Sequence, residues 1–209
     1  MNNKNTMIKH LIFDFGGVFL DLGEDKKVHY NIDKIFGIPE EKAVEIWKEH
    51  KEKLLLGQET PKEFLTRMNA LLGASLDPDA THESWLALNQ IEKKQINWEL
   101  VEYVEDLSKK YLIHMLTNNI DLNKKPESYK SATKHFHNIF QSFEMGHKKP
   151  YKEAYLHVLK KINAKPEECI FVDDIQKNVD AANDLGIKGI LYTDLEKLKK
   201  DFGVLGIIL

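Results

Sequence analysis

The chain has 209 residues, 42% of them hydrophobic and 30% charged, with 11 glycines and 6 prolines. That is the make-up of a folded globular protein, not a disordered or fibrous one, and the length suits one core, or a core with a smaller appendage, since domains run to roughly 100–200 residues. Thirty Lys and Arg against 33 Asp and Glu leave a formal net charge of −3, which gives no basic field for nucleic acid and leaves a small anionic ligand as the partner to look for.

The first element is read at Ile8-Lys9-His10-Leu11-Ile12-Phe13, an apolar-rich run that stops at Asp14 and Gly16-Gly17, the pattern of a buried strand ending in a tight loop. Its apolar stretch is far short of the ~20 residues a bilayer span needs. Asp14 and Asp21 flank what would have to be the core of a signal peptide, so neither a membrane span nor a leader is expected. From about Asp25 to Gln95 apolar positions recur at helical spacing, and no strand-like run interrupts them. Helix ends are read at Ile35-Phe36-Gly37 and Leu54-Leu55-Leu56-Gly57. Thr60-Pro61 with Glu63 predicts a capped helix start, leading through Phe64, Met68 and Leu71-Leu72 to Gly73. Asp77-Pro78 starts another helix, carrying Trp85, Leu86 and Leu88, so four helices of one to four turns are expected in this block.

After Asn97 the pattern changes. Trp98, Val101, Val104 and Leu107 mark one helix face, and residues 111–116 read as a strand. Helix 151–163 then leads to strand 169–172, helix 176–185 ends at Gly186, and a strand follows at 189–192. Such alternation predicts an α/β fold, a Rossmann-like three-layer core with a mostly parallel sheet, formed by residues 1–20 and 96–209, with an all-helical insertion at 21–95. Lys197 to Lys200 reads as a solvated helix face, and the apolar tail Val204 to Leu209 as either a last strand or a contact surface. The single cysteine, Cys169, excludes an intrachain disulfide and a cysteine-based zinc cluster; it fits a cytoplasmic location and reads as a small core hydrophobe.

In open parallel sheets ligands bind beyond the carboxyl ends of the strands. The residues there are Asp14-Phe15-Gly16-Gly17, Thr117-Asn118-Asn119 and Asp173-Asp174. Carboxylates converging at one edge repel unless a cation sits among them, and hard oxygen donors favour magnesium; Asp14, one of Asp173 and Asp174, and the Gly16 carbonyl are the candidate ligands. Lys149, ahead of Pro150 in a fourth strand-to-helix connection, is the better of two lysines for a bound phosphate, and the Thr117 hydroxyl with adjacent backbone N–H groups completes the cradle. A carboxylate such as Asp14 can then attack phosphorus and form an aspartyl-phosphate that water hydrolyses.

Phe13-Asp14-Phe15-Gly16-Gly17-Val18, Leu116-Thr117-Asn118, Ser142 with Gly146 through Lys149-Pro150, and Phe171-Val172-Asp173-Asp174 with Asn178, Ala182 and Gly186 resemble, in order, the four motifs of haloacid-dehalogenase-like hydrolases. The resemblance covers nearly the whole chain and implies Asp14 as nucleophile and metal ligand, the Gly16 carbonyl and Asp174 on magnesium, Asp173 supporting its waters, and Thr117, Asn118 and Lys149 gripping phosphate. It also implies that residues 21–95 form a cap over a small phosphorylated metabolite in a monomer or homodimer. The family's phosphatases usually carry a second aspartate two residues after the nucleophile, and that position here is Gly16.

Three readings follow from this departure. The chain resembles the sugar-phosphatase-like branch with Asp-x-Gly at the first motif, with Asp21 or His147 as candidates for the proton work. It is instead a weak or inactive phosphometabolite binder, or a metal-independent 2-haloacid dehalogenase, a reading that leaves Asp173-Asp174 unexplained. Trp47, Trp85 and Trp98 are expected in packing roles. His135 and His137 are expected as structural residues, and Asn178 as a helix-stabilising or loop-bridging residue near Asp174 rather than a ligand.

Overall fold

The computed structural model describes residues 7–21, 31–88, 95–121 and 127–209. Residues 22–30 and 89–94 of the expected insertion, and 1–6 and 122–126 of the expected core, lie outside the described residues. Five short runs of largely buried residues form strands: β1 (His10–Phe13), β2 (Leu112–Thr117), β3 (Asn138–Gln141), β4 (Cys169–Asp173) and β5 (Lys188–Leu191). All pairings are parallel and the sheet order is β3-β2-β1-β4-β5. Phe13 lies opposite Met115 on one side and Val172 on the other, so at this edge β2 runs two residues and β4 one residue past the end of β1. The chain steps outward from β1 to β3 and then returns to lay β4 on the other side of β1, which makes that edge a topological switch point.

Between β1 and β2 the described residues form α1 (Ile32–Phe36), α2 (Glu40–His50), α3 (Glu52–Leu55), α4 (Pro61–Leu71) and α5 (Pro78–Leu88), five helices where four were expected. Gly37 closes α1 at φ 61°, and Thr60 caps α4 in a capping box with Glu63. The helices bury one apolar cluster of their own, with Trp47, Phe64, Met68 and Trp85 at its centre. Ile120, from the loop after β2, is 1% exposed and belongs to this same cluster. At Gly57 the block meets the core so closely that a Cβ there would stand 2.0 Å from the Phe143 carbonyl oxygen.

The remaining helices are α6 (Trp98–Leu107), α7 (Glu127–Thr133), α8 (Ser142–Met145), α9 (Lys152–Ile162), α10 (Gln176–Asp184) and α11 (Leu195–Val204). Strand alternation sorts the core into two layers. Leu11, Phe13, Ile113, Met115, Ile170 and Val172 face α6, α7 and α11, while Ile12, Leu116, Cys169 and Phe171 face α9 and α10. Helices on both faces of a parallel sheet give the three-layer α/β core that the sequence predicts.

Edge strand β3 is the strand implied ahead of the fourth strand-to-helix connection, but its bounds escape the sequence reading, because its two apolar residues, Ile139 and Phe140, are too few to show a period. The tail resolves the choice left open for it: Val204 ends α11, Ile207 is buried, and residues 205–209 form no strand. No helix of the described residues is long and apolar enough to cross a membrane.

Candidate active site

β1 delivers Asp14 to the switch point, where its backbone N–H donates to the Val172 carbonyl at 2.8 Å. Asp14 is 7% exposed, and its Oδ1 accepts from the Phe15 backbone N–H at 2.7 Å and from Lys149 Nζ at 2.8 Å. Asp173 is the last residue of β4 and fully buried; its Oδ2 accepts from the same Lys149 Nζ at 2.7 Å. The lysine therefore bridges two carboxylates that are 159 positions apart in the sequence. Its own backbone is clamped by Asn118, whose Oδ1 accepts from the Lys149 N–H and whose Nδ2 donates to the Lys149 carbonyl, both at 2.9 Å.

A second tier holds Asp173. The Ile175 N–H donates to its Oδ1 at 2.8 Å, and Asn178 Nδ2 reaches both carboxylate oxygens at 3.0 and 3.1 Å. Tyr155 of α9 donates its hydroxyl to the Asn178 carbonyl at 2.8 Å. Asp174, next in the chain, is half-buried and lies against Gly17: a Cβ on Gly17 would stand 2.3 Å from Asp174 Oδ2, and the glycine's φ of +77° also disfavours any side chain. Asp14, Asp173 and Asp174 each offer an oxygen, and these oxygens lie within 4.8 Å of one another.

The electrostatics follow from this packing. Burial raises the Asp14 carboxyl above its ordinary range; Lys149 pulls it back down, and the Asp173 charge pushes it up again. Burial opposes the Lys149 charge, but Asp14 and Asp173 together hold its ammonium above the usual lysine value. Among the described residues, two buried carboxylates against one ammonium leave a net negative charge. A hard cation with oxygen ligands suits that donor set, in which neither histidine nor cysteine takes part.

Thr117 ends β2 and is buried beside this group, and Gly16 lies half-buried in the loop that follows Asp14. Asn118 is brought in as well, with its side-chain amide used at both ends on the Lys149 backbone. Asn178 bridges as expected, but to Asp173 and not to Asp174. His147 packs against His157 of α9, ring centroids 5.9 Å apart. Asp21 is exposed and lines a cleft of about 630 Å³ together with Gly17, Asn97, Asp174 and Tyr192, a lining that includes neither Asp14 nor Lys149. Sequence reasoning missed Tyr155, the Ile175 amide, and the reciprocal bonds at 3.0 Å between Ser142 Oγ and the Asn119 backbone that tie the β2 and β3 loops together. Only the position of Ser142 just ahead of Gly146 hinted at the last of these.

A sequence model of the family described as haloacid dehalogenase-like hydrolase matches residues 8–186. D-ribitol-5-phosphate phosphatase of Bacteroides thetaiotaomicron is 27% identical over 195 residues, covering 87% of this chain and 90% of its own. Among solved structures, a predicted HAD-like family hydrolase from Porphyromonas gingivalis superposes with a TM-score of 0.75 at 23% identity, over 97% of this chain and 100% of its own. A HAD family enzyme of B. thetaiotaomicron in complex with magnesium and inorganic phosphate gives a TM-score of 0.72 at 22% identity, over 91% of this chain and 98% of its own.

Proposed function

The chain belongs to the haloacid dehalogenase-like hydrolases, and from that premise we propose that it is a magnesium-dependent phosphohydrolase of a small phosphorylated metabolite, of the sugar-phosphate class, with Asp14 as nucleophile. The observation that carries this reading is the Lys149 ammonium set between Asp14 Oδ1 and Asp173 Oδ2, at 2.8 and 2.7 Å, inside a cluster of three carboxylates. The related D-ribitol-5-phosphate phosphatase supports the substrate class.

Asp14, Asp174 and the Gly16 carbonyl are the oxygens that would hold magnesium, with Asp173 steadying its waters. Bound there, the ion supplies the positive charge that lets a carboxylate approach a phosphoryl group. Asp14 Oδ1 accepts from the Phe15 N–H and Lys149, which orient the carboxylate, and the Asp14 carboxylate attacks phosphorus as the ester P–O bond breaks. Lys149, the Thr117 hydroxyl and the Asn118 backbone N–H take the phosphoryl oxygens, while the Asn118 side chain keeps Lys149 in place. Water then attacks the phosphorus of the aspartyl-phosphate, releasing inorganic phosphate and restoring Asp14. The block at residues 21–95 serves as a cap that limits water at the site.

With no side chain at Gly16 to protonate the leaving oxygen, the proton comes from solvent. The expected handicap is about 10²–10⁴ in rate, least for esters with good leaving groups. The test is phosphate release from a panel of phosphorylated metabolites and p-nitrophenyl phosphate, with and without magnesium, beside Asp14→Asn. Metal-dependent release lost in the variant supports the reading. Tight binding without release would favour a binding protein, and metal-free turnover of 2-haloacids a dehalogenase. Gly16→Asp should raise turnover of esters with poor leaving groups; no change would assign the proton work to another residue.

A further inference from the structure

Lys148 and Lys149 are consecutive, yet their side chains serve different parts of the molecule. Lys149 Nζ lies between Asp14 Oδ1 and Asp173 Oδ2, at 2.8 and 2.7 Å. Lys148 Nζ instead donates to Oε2 of Glu52, the first residue of α3 in the helical block, and stands 5.6 Å from the centre of the Tyr151 ring. The Tyr151 N–H closes the turn on the Lys148 carbonyl at 3.1 Å. Although it comes from a connecting loop, the Lys148 side chain is only 13% exposed. Five residues beyond Glu52, Gly57 stands against the Phe143 carbonyl with no room for a Cβ, and α3 packs on α8. The helical block therefore meets the core along residues 143–148, the segment that leads directly into Lys149.

Exposed ion pairs hold little, because water screens them and both side chains lose freedom. This pair is sheltered on the lysine side, where a lost partner would leave a mostly buried ammonium uncompensated. Asn118 already holds the Lys149 backbone from the β2 side, through its N–H and its carbonyl. Glu52 supplies the tie one residue earlier, from the helical block. We infer that Glu52 is a positioning residue for the hydrolysis: through Lys148 it fixes the loop that carries Lys149, so that the ammonium stays in register with Asp14 while α3 is seated on α8. The inference rests on the phosphohydrolase reading and adds to it a residue that acts from outside the carboxylate cluster.

Glu52→Gln keeps the side chain's shape and removes its charge at a half-exposed position, so the fold should survive, checked by a thermal melt. In that variant kcat should fall about 10-fold with KM changed by less than about twofold, the signature of a loosened contact to the phosphoryl group in the transition state. The factor should be the same for p-nitrophenyl phosphate and for the best metabolite ester, because both present the same phosphoryl group. Lys148→Met should match it, Lys148→Arg should retain most of the rate, and Glu52→Gln with Lys148→Met should fall no further than the single changes. Lys53→Met, which removes an exposed charge from the same helix, should behave as wild type. A Glu52→Gln rate within about twofold of wild type, a loss carried by KM or confined to one ester, or losses that multiply in the double variant overturn the positioning role while the phosphohydrolase reading stands. No magnesium-dependent phosphate release by the wild type overturns both.

Discussion

At the carboxyl end of β1 and β4 the sheet buries ions, whereas at the amino end of β1 and β2 it buries a neutral pair. His10 Nδ1 and His114 Nε2 lie 3.0 Å apart with rings stacked, and Asn138 takes the other His114 nitrogen at 3.1 Å. Both histidines are held below their ordinary pKa, His114 at about 4, by burial first and then by neighbouring histidines for His114. That end satisfies itself without charge. Among the described residues the opposite end sets the buried carboxylates of Asp14 and Asp173 against one lysine, and so stays receptive to a cation and to the oxygens it brings. Buried polarity alone therefore does not mark a reactive site; an uncompensated charge at a strand terminus does.

Substitutions that break this contrast should do so to very different degrees. Asp14→Asn should lower phosphate release by at least about 10³-fold with the fold intact, checked by initial rates beside a thermal melt. Lys149→Met removes the shared counter-ion and leaves Asp14 and Asp173 facing each other. Urea unfolding should show a loss of about 3–5 kcal/mol, along with loss of turnover.

At the neutral end the effect should depend on pH. His114 binds its proton near 4 when folded and near the ordinary 6.5 when unfolded. Between those values the unfolded chain holds more protons, so stability is complete above about 6.5 and falls as pH drops toward 4. The loss is on the order of 1–3 kcal/mol. Replacing both partners, His10→Leu with His114→Leu, should be nearly neutral at pH 7 and should reduce the difference between urea midpoints at pH 7 and pH 5. Asn138→Ala should change stability least, by about 0.5 kcal/mol or less, because Asn138 is exposed and water replaces it.

The sequence made some of these features legible and concealed others for physical reasons. Strand and helix starts were written locally: Thr60-Pro61 with Glu63 predicts the capping box that α4 carries, and Asp14, Asp173 and Asp174 stand where apolar runs stop. Which of two adjacent aspartates turns inward is decided by the pleat of β4. Asp173 is fully buried and Asp174 half-buried, so Asn178 holds the former, a distinction no spacing conveys. The His10–His114 bond joins residues 104 apart, and only the parallel register of β1 on β2 brings them together.

Ile120 gives the molecule a mechanical linkage. It leaves the core three residues after Thr117 and plugs its side chain into the apolar interior of the helical block. Drawing that plug out would expose an isoleucine at roughly 1.5–3 kcal/mol. A swing of the helices away from the sheet therefore either pays that toll or hauls the Thr117 loop along, so the helical block and the loop after β2 are geared to one another.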